Sequence, residues 1–147
     1  MVLGFKTKLP NGLPCNFENK TKKSLWKYLY GTESDESIIP KLHTIREDKN
    51  GRWKAGNIIH FATGVRTKSY NCFLFGTCVS VQEIRIEWTG RVLIISVDGV
   101  ENYINEDVLI KNDGFDNKQD FLDWFGFQPM KPDLFEGKLI HWTDLKY

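Results

Sequence analysis

Lys41, Thr44 and Arg46 stand in the run Lys41-Leu42-His43-Thr44-Ile45-Arg46, and Gly51-Arg52-Trp53-Lys54-Ala55-Gly56 follows after a short polar stretch. A lysine amine gives up its proton more readily when desolvated, and a threonine hydroxyl becomes a nucleophile once a base relieves it of its proton. An arginine fork holds a planar, oxygen-rich group. These types at this spacing could make a reaction site or a recognition site. A structural reading also accounts for them, with Lys41 and Arg46 as solvated strand ends and Thr44 as an ordinary β-former.

The elements around these residues decide whether they can meet. Pro40 can neither continue a helix nor donate to a sheet ladder, so Lys41 is expected at the start of a strand. Along it, Leu42, Thr44 and Arg46 share one face and His43 and Ile45 the other. Lys41 has the wrong parity for the Thr44 face and joins it only if the chain bends at Pro40-Lys41. Turn signals at Asn50-Gly51 and Ala55-Gly56-Asn57 frame Arg52, Trp53 and Lys54, and Ile58 to Ala62 reads as a strand. Trp53 could stack on a base with Arg52 and Lys54 on phosphates, or plug the edge of a core.

Upstream, Met1 to Phe5 reads as a strand, Lys8 to Pro14 as turns, and Asn16 or Phe17 to Tyr30 as a helix stopped by Gly31. Lys20, Lys22, Lys23 and Lys27 give that helix a basic character suited to solvent or to nucleic acid. Thr32 to Ser37 is polar and acidic, an exposed loop, and Thr63 to Asn71 is a polar, basic one. Downstream, Thr77 to Trp88, Arg91 to Asp98 and Val100 to Ile104 form a meander turned at Thr89-Gly90 and Asp98-Gly99. Val79 and Val81 differ in parity from Ile84 and Ile86, which suggests a bulge near Gln82-Glu83 that would help the sheet curl. Asn105 starts a helix that Asn112-Asp113-Gly114 stops; Asp116 with Gln119 resembles a capping box for a second, ended by Gly126. Lys138 to Thr143 reads as a closing strand.

The chain of 147 residues, 41% hydrophobic, suits a single domain over residues 1–147 with its own core. No apolar run approaches the roughly 20 residues that cross a bilayer, and Met1 to Phe5 lacks the order of a signal peptide. A cytoplasmic protein with no membrane partner is expected. Cys15, Cys72 and Cys78 are odd in number and lack C-x-x-C spacing, which points to reduced thiols rather than disulfides or a zinc site. His43, His60 and His141 do not pair at ligand-like local spacing, so no metal site is expected. The net charge of +1 hides a split, +7 over residues 1–70 and −6 over residues 71–147. Either a basic face attracts phosphate, or the halves interleave and neutralise each other.

The run K-L-H-T-I-R-E-D-K-N-G-R-W-K-A-G-N, residues 41–57, resembles the signature of the ASCH domain, a branch of the PUA-like superfamily. That pattern is roughly G-x-K-x-x-T-x-R, a polar loop, then K-x-G-D and a strand. The segment I-K-N-D-G-F-D-N-K-Q-D-F-L-D-W-F, residues 110–125, is similar to the family's acidic-Gly-Phe segment before its last helix. The likeness spans most of residues 38–143. It implies an α+β fold, a small mixed β-barrel of PUA-like type flanked by short helices, in agreement with the mostly β pattern above. The chain departs from the family in carrying Ile39 for the motif Gly, Pro40 before the Lys, and an Asp where the family's acid is Glu.

The family includes an amidohydrolase that removes acetate from 4-acetylcytidine. By motif, the resemblance implies Lys41 as proton acceptor, Thr44 as nucleophile and Asp113 as proton donor, with Arg46 at the motif arginine. It implies a metal-independent reaction with no organic cofactor. An oxyanion could rest on Arg46 or on amides of the Gly51 turn, an effect worth roughly 3 kcal/mol per good donor. The alternative is a non-catalytic module for RNA or a modified nucleotide, with Arg46, Arg52, Trp53 and Lys54 as binding residues beside Lys41. Nucleoside or RNA is the expected partner in both. A protein-interaction domain has only the 14% aromatic content in its favour.

Overall fold

Ile84, Ile86 and Trp88, apolar at every second position, mark one buried strand face. A computed structural model of the chain describes residues 1–31, 35–101 and 103–147. In chain order the elements are β1 (Val2–Phe5), α1 (Phe17–Tyr30), β2 (His43–Arg46), β3 (Ile58–Thr63), β4 (Asn71–Thr77), β5 (Ser80–Trp88), β6 (Leu93–Val97), β7 (Val100–Glu101), α2 (Glu106–Asn112), α3 (Lys118–Phe125) and β8 (Asp133–His141). The fold is α+β. One sheet has the order β1-β3-β4, the other β2-β8-β5-β6-β7. No ladder joins the two among the described residues, so the strands wall a shared core as two sheets and are not closed into the expected barrel.

The core explains why both sheets hold their register. Phe5 on β1 stacks on Phe61 of β3, with centroids 6.1 Å apart, and meets Trp142 just beyond β8 edge-on at 6.4 Å. Phe17 of α1 contacts Phe115 and Trp124, each at 5.4 Å, and so ties the first helix to the α2–α3 segment. Offset and edge-on aromatic pairs add about 0.5–1.5 kcal/mol each beyond the area they bury.

Several local expectations need correction. β4 was not foreseen: Cys72-Phe73-Leu74-Phe75 is a continuous apolar run without alternation, and β4 pairs antiparallel with β3. The bulge lies in the β3–β4 ladder between Phe61 and Ala62, not at Gln82-Glu83, where β5 runs unbroken against β8. Gln82 is itself the buried residue that continues the Ile84, Ile86, Trp88 face. Asn117, not Asp116, caps α3, its side chain accepting from the Asp120 N–H; Asp116 instead pairs with Lys20 at 2.7 Å. β8 begins at Asp133 and lies between β2 and β5, so the expected closing strand is longer and central. Residues 32–34 of the expected acidic loop, and residue 102 within the expected third meander strand, lie outside the described residues.

Candidate functional site

β2 carries the motif into the middle of the molecule because it is a ladder partner of β8: His43 faces His141, Thr44 faces Ile140 and Arg46 faces Lys138. Just before β2, the Lys41 N–H donates to the Lys20 carbonyl and the Leu42 N–H to the Asn112 carbonyl. These bonds fix Lys41 between α1 and the end of α2. Its ammonium donates to the Asp113 carboxylate at 2.8 Å and also to the Asp113 carbonyl. It lies 4.8 Å from the Phe17 ring centroid and 5.9 Å from that of Phe5.

The turn that delivers Asp113 depends on a glycine. Gly114 has φ +92, and a Cβ there would meet the Lys41 side chain at 3.0 Å and Phe17 at 3.1 Å. Asn-Asp-Gly is turn chemistry, and here the same turn brings a carboxylate to a buried amine.

The protonation of the pair follows from its surroundings. Lys41 and Asp113 are 2% and 3% exposed. Burial pulls the Lys41 amine down to about 8, against the opposing pull of the Asp113 carboxylate. Burial pushes Asp113 up, but Lys41 and the nearby His43 outweigh it and hold the carboxyl below its usual range. Near neutrality the pair is an ammonium and a carboxylate. The proton sits on the lysine, the reverse of a lysine base beside a carboxylic acid.

His43 shares the Lys41 side of the strand. Its Nδ1 is 3.5 Å from the Asp113 carboxylate, and its Nε2 is 2.8 Å from the Tyr147 hydroxyl, which also accepts from Asn112 at 2.9 Å. Burial pulls His43 down, and pulls His141 beside it down to about 3, so both rings are neutral near pH 7. Neither histidine was foreseen as part of the site. The signal was in the strand parity, which already placed Lys41 and His43 on one side.

Thr44 is buried, and its hydroxyl bonds to neither Lys41 nor Asp113; the alternation of β2 sets it with Arg46. Arg46 donates to the Gly4 carbonyl at 2.6 Å and lies 5.8 Å from the Phe5 ring centroid, while its Nε is buried without a partner. It lines a cleft of 470 Å³ with Gly4, Lys6, Thr7, Lys8 and Gly64. Gly64 turns the chain beside this cleft with φ +62, where a Cβ would collide with the Ser69 carbonyl.

Trp53 is buried. The Asp48 carboxylate accepts from the Arg52 and Trp53 N–H groups, each at 2.9 Å, and fixes the turn. The Arg52 and Lys54 side chains are exposed. The structure therefore brings Lys41 and Asp113 together, sets Arg46 on an open cleft, and leaves Arg52, Trp53 and Lys54 in a separate turn outside the lining of that cleft.

Among the described residues, no three His, Cys, Asp or Glu side chains converge as a metal-holding group. Cys15, Cys72 and Cys78 are free thiols, and burial raises Cys78 to about 11. No helix of the described residues is long and apolar enough to cross a membrane. No protein-family model, curated protein or solved structure matches the chain.

Proposed function

We propose that this chain is a nucleotide- or RNA-binding module of PUA-like type, with Arg46, Lys6 and Lys8 receiving phosphate in the cleft that the motif arginine lines. The observation that carries this reading is the division of labour among the motif cations. Lys41 is neutralised by Asp113 inside the core, whereas Arg46 opens onto a basic cleft and keeps a buried Nε without a partner. A guanidinium part-satisfied by a carbonyl and flanked by two lysines suits an anionic, oxygen-rich ligand.

Titration of the chain with a nucleoside monophosphate and a short single-stranded RNA tests it. Binding is expected to weaken steeply with salt, and Arg46→Ala to reduce it about ten- to a hundredfold, the scale of a lost hydrogen bond to a charged group. No affinity for either probe at low ionic strength sinks the reading.

One observation favours a second reading, the amidohydrolase: a lysine near 8 reaches its neutral form close to physiological pH. In that chemistry the Thr44 oxygen adds to the acetyl carbonyl as Lys41 takes its proton. The C–N bond then breaks as the proton that Lys41 took from Thr44 passes to the leaving amine, with the Asp113 carboxylate as relay, and water releases acetate from Thr44. It requires Lys41 to exchange Asp113 for Thr44. Turnover of 4-acetylcytidine that is lost in Thr44→Ala supports it; absence of turnover across acylated nucleosides removes it.

A further inference from the structure

His141 is fully buried, and neither of its ring nitrogens has a hydrogen-bond partner. A buried imidazole with nothing to bond is costly, on the order of 1–3 kcal/mol per unsatisfied group, and an apolar residue would serve the core better. Its neighbours explain what the space around it suits. The His43 ring lies 5.4 Å away at 67°, and the Tyr147 ring packs edge-on against both, 5.5 Å from His43 and 5.9 Å from His141. At the far edge of the tyrosine, Asn112 donates to the hydroxyl oxygen, and His43 Nε2 lies 2.8 Å from the same oxygen. His43 Nδ1 lies 3.5 Å from the Asp113 carboxylate and makes no hydrogen bond; with the ring proton on Nδ1, facing that charge, Nε2 is the acceptor for the hydroxyl.

Tyr147 is held by side chains and by no regular secondary structure. Residues 143–147 form no helix or strand. Gln82 hooks the Tyr147 backbone, its Oε1 accepting from the N–H at 2.9 Å and its Nε2 donating to the carbonyl at 2.6 Å. The preceding residues border a cleft of 640 Å³ against α1, lined by Ser24, Tyr28, Leu42 and Leu145 among others. Segments with few backbone bonds open at low free-energy cost.

We propose that Tyr147 is the resident occupant of a binding pocket for a nucleobase-like heteroaromatic ring, walled by His43 and His141 and edged by Asn112, and that the tyrosine gives way when such a ring enters. The ligand class follows from the donors and acceptors. The phenol satisfies Asn112 and His43 with one oxygen and offers His141 nothing. A ring with a donor beside an acceptor, as in an amidine or lactam edge, satisfies the same pair with two atoms and carries further ring heteroatoms for His141. This proposal needs no phosphate and stands apart from the Arg46 cleft.

The test is a titration of the full chain with cytosine, uracil and adenine, and with p-cresol as a mimic of the tyrosine side chain, followed by ¹⁵N shifts of the histidine rings. Tyr147→Ala is expected to bind the best of the three bases at least tenfold more tightly than the parent chain. Adding His141→Phe is expected to lower base affinity at least fivefold while leaving p-cresol within twofold. A folded Tyr147→Ala protein that binds no base more tightly than the parent overturns the proposal. So does one that binds p-cresol as tightly as any base, which makes the pocket a tyrosine socket only. If Tyr147→Ala does not fold, Tyr147→Phe decides: it keeps the ring and loses both hydroxyl bonds, so base binding at least threefold tighter is expected, and unchanged binding overturns the idea.

Discussion

Lys41 and Asp113, far apart in the chain, meet at 2.8 Å in a place that almost no water reaches. Removing one partner strands the other as an uncompensated buried charge, whereas replacing both with apolar residues of similar volume can be nearly neutral. Asp113→Ala is therefore expected to lower stability by about 3–5 kcal/mol, and Lys41→Met with Asp113→Leu to recover most of that loss. Urea denaturation of the two variants measures it; equal destabilisation of both shows that the pair is not what fixes this region.

Stability should also depend on pH through the histidines. His141 is pulled down to about 3 in the folded chain, while an unfolded histidine titrates near 6.5. Between those values the unfolded chain binds a proton that the folded chain does not, so stability falls as the pH drops, at up to roughly 1.4 kcal/mol per unit for that group. His141→Phe is expected to flatten the profile over this window. Thermal melts from pH 7 to pH 4 check the slope, and identical slopes for parent and variant refute the assignment.

Asp113 acts at lower pH. Its folded pKa lies below the ordinary value, so its contribution is fully present above about 4 and is lost as the pH falls through the folded value. Asp113→Asn is expected to remove the part of acid unfolding that lies below pH 4, read from the same melts extended downward.

Gly114→Ala places a methyl against Lys41 and Phe17 at a positive φ. A loss of more than about 1 kcal/mol is expected, since the native backbone there is incompatible with alanine. Calorimetry that finds the variant as stable as the parent shows that the turn relaxes without disturbing the ion pair.

Much of this arrangement could be read from local chemistry. The helix ending at Tyr30 has Gly31 in the left-handed conformation at its cap, and the Asp98-Gly99 hairpin has positive φ at both residues, as the turn signals require. Asn105 caps α2 as its side chain predicts. The misses are non-local. β4 is an apolar run whose role depends on pairing with β3, and the apparent parity break in β5 disappears once Gln82 is seen to be buried by Tyr147 and Asp98. For the site, the family resemblance grouped Lys41, Thr44 and Asp113; the structure joins Lys41 to Asp113 and leaves the Thr44 hydroxyl bonded to neither. The sequence could not show that His43 and His141 are cross-strand neighbours, because that register is set by a strand roughly a hundred residues away and not by any local spacing.

The place of β8 between β2 and β5 has a kinetic corollary. The strand bearing Thr44 and Arg46 finds its sheet neighbour only across a very long loop, and closing such loops is what slows folding. The only ladder partner of β2 among the described residues is β8, so the strand that bears Thr44 and Arg46 stays unpaired until residues 133–141 reach it.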